Sequence, residues 1–163
     1  MNSHASTIDE LARSGESFRR AAEAFSPSHR REKPTEKAFS ATEIVYHMVD
    51  VEHLWQRRID DLLSGASNTF TAMDPDAVAR DSKYNEKDYE AGLSLLSEAR
   101  EASLKLFASL NDEDFMREGM HTRYGPMSIV QVVEKMIGHD KQHEAQLART
   151  LTEVTPAGAS VQP

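Results

Sequence analysis

Apolar side chains recur along this chain at alternating three- and four-residue steps, first at Ile8, Leu11, Gly15, Phe18, Ala22 and Phe25. That spacing lays a single stripe along a helix, which should stop near Pro27. A polar stretch from Ser26 to Phe39, carrying Pro34, separates it from Ser40 and Glu43. A serine followed three residues later by a glutamate forms a capping box, so a second helix opens there. Its apolar face reads Ile44, Met48, Val51, Trp55, Ile59 and Leu62, and Gly65 should end it by taking the left-handed conformation. A third stripe, from Tyr89, Leu93 and Leu96 to Leu104, Phe107 and Leu110, predicts a helix from about Glu86, capped by Asn85 and ending at Asn111. The fourth begins at a second capping box, Ser128 with Gln131, and runs to Leu151.

The connections carry further information. Residues 65–85 have no clean period, with a turn or short-helix start at Asp74, Pro75 and Asp76, and exceed the usual handful of residues between helices. Residues 111–127 hold a helical turn at Asp112 to Met116 and then a loop bearing glycine and proline. Four amphipathic helices predict an all-α protein, a four-helix bundle. An extended chain covers about 3.3 Å per residue, so the 65–85 link can travel the length of a helix. The expected arrangement is therefore up-down-down-up, with a long crossover between helices two and three. One domain is expected over residues 1–151, with a disordered tail over 152–163, where neither period nor apolar bulk remains.

Charge and composition narrow the chemistry. The 163 residues include 27 acidic against 19 basic side chains, a formal charge of -8, which disfavours nucleic acid and anionic membrane surfaces. No apolar run approaches the roughly 18 residues that a membrane span requires, and the N-terminus lacks a signal-peptide pattern, so the cytoplasm is the expected location. Cysteine is absent, so a bound metal must be held by nitrogen and oxygen ligands.

His139 and His143 supply a candidate. A four-residue step returns a side chain to nearly the same helix face, so both imidazoles can reach one metal ion; the spacing also suits two solvated or hydrogen-bonded histidines. Both fall on the flank of a stripe made by Ile129, Val133, Met136 and Leu147, where imidazole is costly unless its nitrogens find partners. Asp140 lies closer still to the apolar centre. It can serve behind a metal-bound imidazole or pair with an arginine such as Arg57 or Arg58. For a third ligand, His47 shares a stripe with Val51 and Leu54, whereas His53 points toward another side, and His121 is the reserve candidate. His4 and His29 read as solvated surface residues. Affinity for a metal held by histidines should fall as pH drops through roughly 6.5, the unperturbed imidazole value.

Three stretches together, Glu43 to Glu52 around His47, Gly119 to Ile129 around His121, and His139 to Leu147, resemble the DinB-like (DinB/YfiT-like) family of small four-helix metalloproteins. The resemblance covers most of the chain, and no ligand position departs from the family pattern. It implies a divalent metal, nickel or zinc, bound by His47, His139 and His143 with open positions left for water, and a homodimer. It also implies a thiol-dependent transferase acting with a low-molecular-weight thiol, or a hydrolase, in detoxification or stress response. A non-catalytic, structural metal is the alternative. No catalytic base is assigned among Asp50, Glu52 and Gln146.

Overall fold

The computed structural model describes residues 3–155. Four long helices form the bundle: α1 (Ala5–Glu23), α2 (Ala41–Ser64), α4 (Tyr89–Ser109) and α6 (Ile129–Val154). Between them lie β1 (Thr69–Phe70), α3 (Pro75–Asp81), a 3-10 turn (Tyr84–Glu86), α5 (Asp112–Phe115), β2 (Glu118–His121) and β3 (Gly125–Ser128). Helix α6 continues past the expected end at Leu151, and the expected disorder of the tail concerns residues 156–163, outside the described range. No helix among the described residues is long and apolar enough to cross a membrane.

Local signals place the two helices that carry the candidate ligands. Ser40 caps α2 by accepting from the Glu43 N–H while the Glu43 carboxylate accepts from the Ser40 N–H, and Ser128 and Gln131 repeat this box at α6. Gly65 closes α2 in the left-handed conformation, at φ 76°. The cap of α4 differs from expectation. Asp88 accepts from the Ala91 N–H at 2.7 Å, while Asn85 is engaged by the Ser40 hydroxyl at 2.6 Å and so pins the link to the start of α2.

The three short strands add a small sheet at one end of the bundle. β1 pairs in parallel with β2, and β2 pairs antiparallel with β3, so the link after α2 is sewn to the hairpin that leads into α6. Strands with this much glycine and proline show no alternation for a sequence reading to find. Gly119 is required for packing here, because a Cβ at that position would enter the buried Phe70 ring.

Hydrogen bonds between the long helices show how neighbours are aligned. Tyr46 donates to the Asp88 carbonyl at 2.8 Å and Gln56 to the Ala99 carbonyl at 2.6 Å, so contacts advance together along α2 and α4. The core has two large apolar clusters among the described residues, one around Trp55, Phe107, Ile129 and Met136, the other around Phe18, Ile44, Met48 and Leu147, and a small one of Tyr46, Ala79 and Tyr84 under the link after α2. Between the two large ones, each long helix contributes a polar side chain to a buried layer: Ser14, Glu52, Arg100 and Asp140. Arg100 donates to both Glu52 oxygens at 3.0 and 2.9 Å and to both Asp140 oxygens at 2.7 and 2.9 Å. Ser14 completes the layer by donating to Asp140 at 2.6 Å. A buried ion of either sign is tolerated only with such complete pairing.

Candidate metal centre

His139 and His143 lie one turn apart on α6, with ring centroids 4.3 Å apart, and His47 reaches them from α2. The His139 Nε2 stands 3.2 Å from the His47 Nε2 and 3.0 Å from the His143 Nε2. The structure therefore brings together the three histidines singled out by the sequence, with one ligand atom of each within 4.8 Å of the others. His53 and His121 are outside this cluster. His29 contacts Glu32 at 3.1 Å, and His4 packs on the Phe115 ring at 4.4 Å rather than standing free in solvent.

The donor set fits a divalent cation. The His143 Nδ1 sits 2.7 Å from the Gln146 Oε1, an oxygen that only accepts, so the ring proton is on Nδ1 and the Nε2 lone pair is free. The His139 Nε2 faces two other ring nitrogens, and one ring proton cannot serve both. A cation satisfies all three lone pairs at once. Metal–nitrogen bonds of about 2.0–2.1 Å at tetrahedral or octahedral angles separate donors by about 2.9–3.4 Å, which brackets the two distances observed.

Asp140 resolves the choice left open by the sequence: its partner is an arginine, but Arg100, not Arg57 or Arg58. Arg58 instead lies over the Trp55 ring at 4.6 Å and donates to the Thr71 carbonyl. Glu52 is occupied by Arg100, and Asp50 accepts from the Tyr84 hydroxyl, so neither is free to act as a base. The residue that sequence reasoning missed is Arg100. It lies near the apolar stripe of α4, and that position is its only sequence signal.

The histidines face an open cavity of about 460 Å³. Its walls come from α2 (Val51, Leu54, Trp55), from the link after α2 (Met73, Asp76) and from the hairpin (His121, Tyr124). His121 makes tilted ring contacts with Trp55 and Tyr124, with centroids 6.0 and 4.6 Å away. Burial, then the charges of Arg58, Lys135 and Arg123, hold its imidazole below the usual range.

Burial, followed by the charge of His143, pushes His47 down to about 4, and burial with both neighbouring imidazoles pushes His139 down to about 3. His143 is lowered as well, burial outweighing the opposite pulls of Gln146 and Asp140. Unfolded, these rings titrate near 6.5, so below that value the unfolded chain binds more protons than the folded one. Stability is therefore full above about pH 6.5 and lost as pH falls toward 4 and then 3, by on the order of 3 kcal/mol for His47 alone. We predict that the melting temperature of metal-free protein declines through this window, and that His47→Asn flattens the decline; thermal unfolding followed by circular dichroism checks both. The same depression means protons compete weakly for the ligand nitrogens. Metal retention should persist below pH 5, in place of the loss near 6.5 expected from unperturbed imidazole.

Residues 10–147 match the DinB superfamily. Among solved structures, the fold is similar to that of YfiT from Bacillus subtilis, described as a probable metal-dependent hydrolase with an unusual four-helix bundle topology. The TM-score is 0.80 at 18% identity, covering 90% of this chain and 85% of that one. The colibactin self-resistance protein ClbS, in complex with a dsDNA, is similar with a TM-score of 0.66 at 14% identity, covering 89% of this chain and 93% of that one. No curated protein matches by sequence.

Proposed function

Because the chain belongs to the DinB superfamily and gathers three imidazoles at the wall of an open cavity, we propose that it is a divalent-metal-dependent enzyme, a thiol-dependent transferase or a hydrolase. The opening of the histidine cluster onto that cavity carries this reading, since a structural site is closed by its protein ligands whereas a catalytic one keeps a position for substrate. Nickel or zinc bound by His47, His139 and His143 would supply Lewis acidity and favour the deprotonated form of a bound water or thiol at neutral pH. The chain's own part is to hold the three imidazoles neutral through burial and to aim the His143 ring through Gln146. Its apolar wall of Val51, Leu54 and Trp55 limits the water around a reacting group.

The reading extends to a low-molecular-weight thiol as cosubstrate, a homodimer, a cytoplasmic location and a role in detoxification or stress response. It takes the bundle as up-down-down-up, supported by the shared direction of contacts between α2 and α4 and by the pairs Ser14–Asp140 and Ser17–Glu144, which advance together along α1 and α6. Nucleic acid is left outside it, since the formal charge of -8 opposes a phosphate backbone.

A second reading, a metal that only pins α2 to α6, is favoured by the way His47 of α2 meets His139 and His143 of α6. Cobalt-substituted protein separates the two. For an enzyme, adding a small thiol or azide changes the visible spectrum and saturates, because an open position is filled. An unaltered spectrum for every thiol and for azide, together with a sharp fall in melting temperature on metal removal, would replace the enzymatic reading by the structural one.

A further inference from the structure

Four cationic side chains line the cavity, Lys37, Arg58, Arg123 and Lys135, against one carboxylate, Asp76. The chain as a whole carries the opposite imbalance, with a formal charge of -8. None of the four cations has a carboxylate partner among the described residues, although acids are plentiful. Arg58 is buried, its guanidinium lying over Trp55 with a bond to the Thr71 carbonyl. The Lys135 Nζ sits 3.6 Å from the centre of the Tyr124 ring.

His121 adds a directional donor. It is 5% exposed, and its Nδ1 accepts from the Arg123 N–H at 3.0 Å, so the ring proton is on Nε2. That Nε2–H has no protein acceptor among the described residues, and the ring lines the cavity. The Nε2–H opens onto the cavity, where an acceptor can reach it, and the buried Arg58 with the half-buried Lys135 beside it favours an acceptor that is anionic.

We infer that this wall is a recognition site for the oxyanion group, carboxylate or phosphate, of a small organic molecule, with His121 as hydrogen-bond donor and Arg58 and Lys135 supplying charge. The inference rests on the reading of the cavity as a substrate site and names the class of molecule it takes: an organic anion whose apolar part lies against Val51, Leu54 and Trp55 while its other end reaches the histidine cluster. His121 is thus a specificity-determining residue rather than a metal ligand.

Two thiols that differ only in charge, 3-mercaptopropionate and 3-mercaptopropanol, test it on the full chain. In metal-free protein, followed through the nitrogen-15 resonances of the histidine side chains, mercaptopropionate should shift the His121 Nε2–H signal and mercaptopropanol should not. Inorganic phosphate run beside them assigns the anion: a larger shift at equal concentration selects phosphate, a smaller one carboxylate. In cobalt-loaded protein, the visible change should reach half-saturation at about tenfold lower mercaptopropionate than mercaptopropanol, as a charge-assisted hydrogen bond provides. His121→Gln and the more exposed Lys135→Gln should each shrink that ratio while leaving mercaptopropanol unchanged, so the result stands on a second variant if the first folds poorly. Failure of both anions to move the His121 signal overturns the inference. A shifted His121 signal with no response of cobalt to either thiol upholds the anion site and counts against the open metal position instead.

Discussion

Replacing His139 by alanine is expected to lower nickel or zinc affinity by more than about 100-fold, because loss of a mere supporting group behind a ligand already costs 10- to 100-fold. The His139 Nε2 is the shared neighbour in the cluster, standing within 3.2 Å of both other ring nitrogens, so its removal leaves two donors without the third that closes one face of the metal. His143→Ala and His47→Ala should behave alike. His53→Ala, on the same helix as His47 but outside the cluster, should retain about one metal per chain. Elemental analysis after dialysis, with a chelator competition for the affinity, gives the result. Full occupancy in any of the three cluster variants would remove that histidine from the ligand set.

Arg100→Met is expected to cost about 3–5 kcal/mol, the range for breaking a buried ion pair from one side. The loss is large because a single guanidinium satisfies both carboxylates, Glu52 and Asp140, whose side chains are 4% and 2% exposed. Domains of this size hold only about 5–15 kcal/mol in total, so the variant should unfold at much lower urea concentration. Arg100→Lys should recover little, since an ammonium cannot offer the two parallel donor pairs that meet Glu52 and Asp140. Replacing the three residues together, with Glu52→Met, Arg100→Met and Asp140→Leu, should return most of the stability, as apolar replacement of whole buried ionic groups does. A urea midpoint for Arg100→Met within error of the native value would show that the layer contributes nothing to stability.

The elements legible in the sequence were those specified by nearby residues. Ser40 with Glu43 and Ser128 with Gln131 fix two helix starts through contacts three residues apart, and Gly65 fixes a helix end by its own backbone preference. His139 and His143 were legible as a pair for the same reason, since one helical turn relates them. His47 needed the phase of a second helix, which the stripe from Ile44 to Leu62 provides. The buried layer was legible only in part. Asp140, near the centre of its stripe, called for a partner such as an arginine, but Glu52 and Arg100 come from two other helices at separations with no fixed rule, and each alone resembles a charge at the edge of an apolar face. Asn85 was mistaken for the cap of α4 because asparagine favours that role, while here its side chain is taken by Ser40 from 45 residues away. The hairpin stayed hidden because four-residue strands built from Gly119, Gly125 and Pro126 show no hydrophobic alternation.

The cavity draws its candidate metal ligands and much of its wall from different kinds of backbone. The histidines project from long helices that are locked by the core, whereas His121, Arg123 and Tyr124 belong to a hairpin whose tip at residues 122–124 is solvent-exposed, and Met73 and Asp76 belong to the link after α2. Loop tips accept substitution and insertion far more readily than packed helices do. The 122–124 tip is thus the part of the cavity wall that can be rewritten while the three histidines stay where the bundle holds them. Grafting this tip between two proteins of the same fold is a way to exchange their selectivity without rebuilding either bundle.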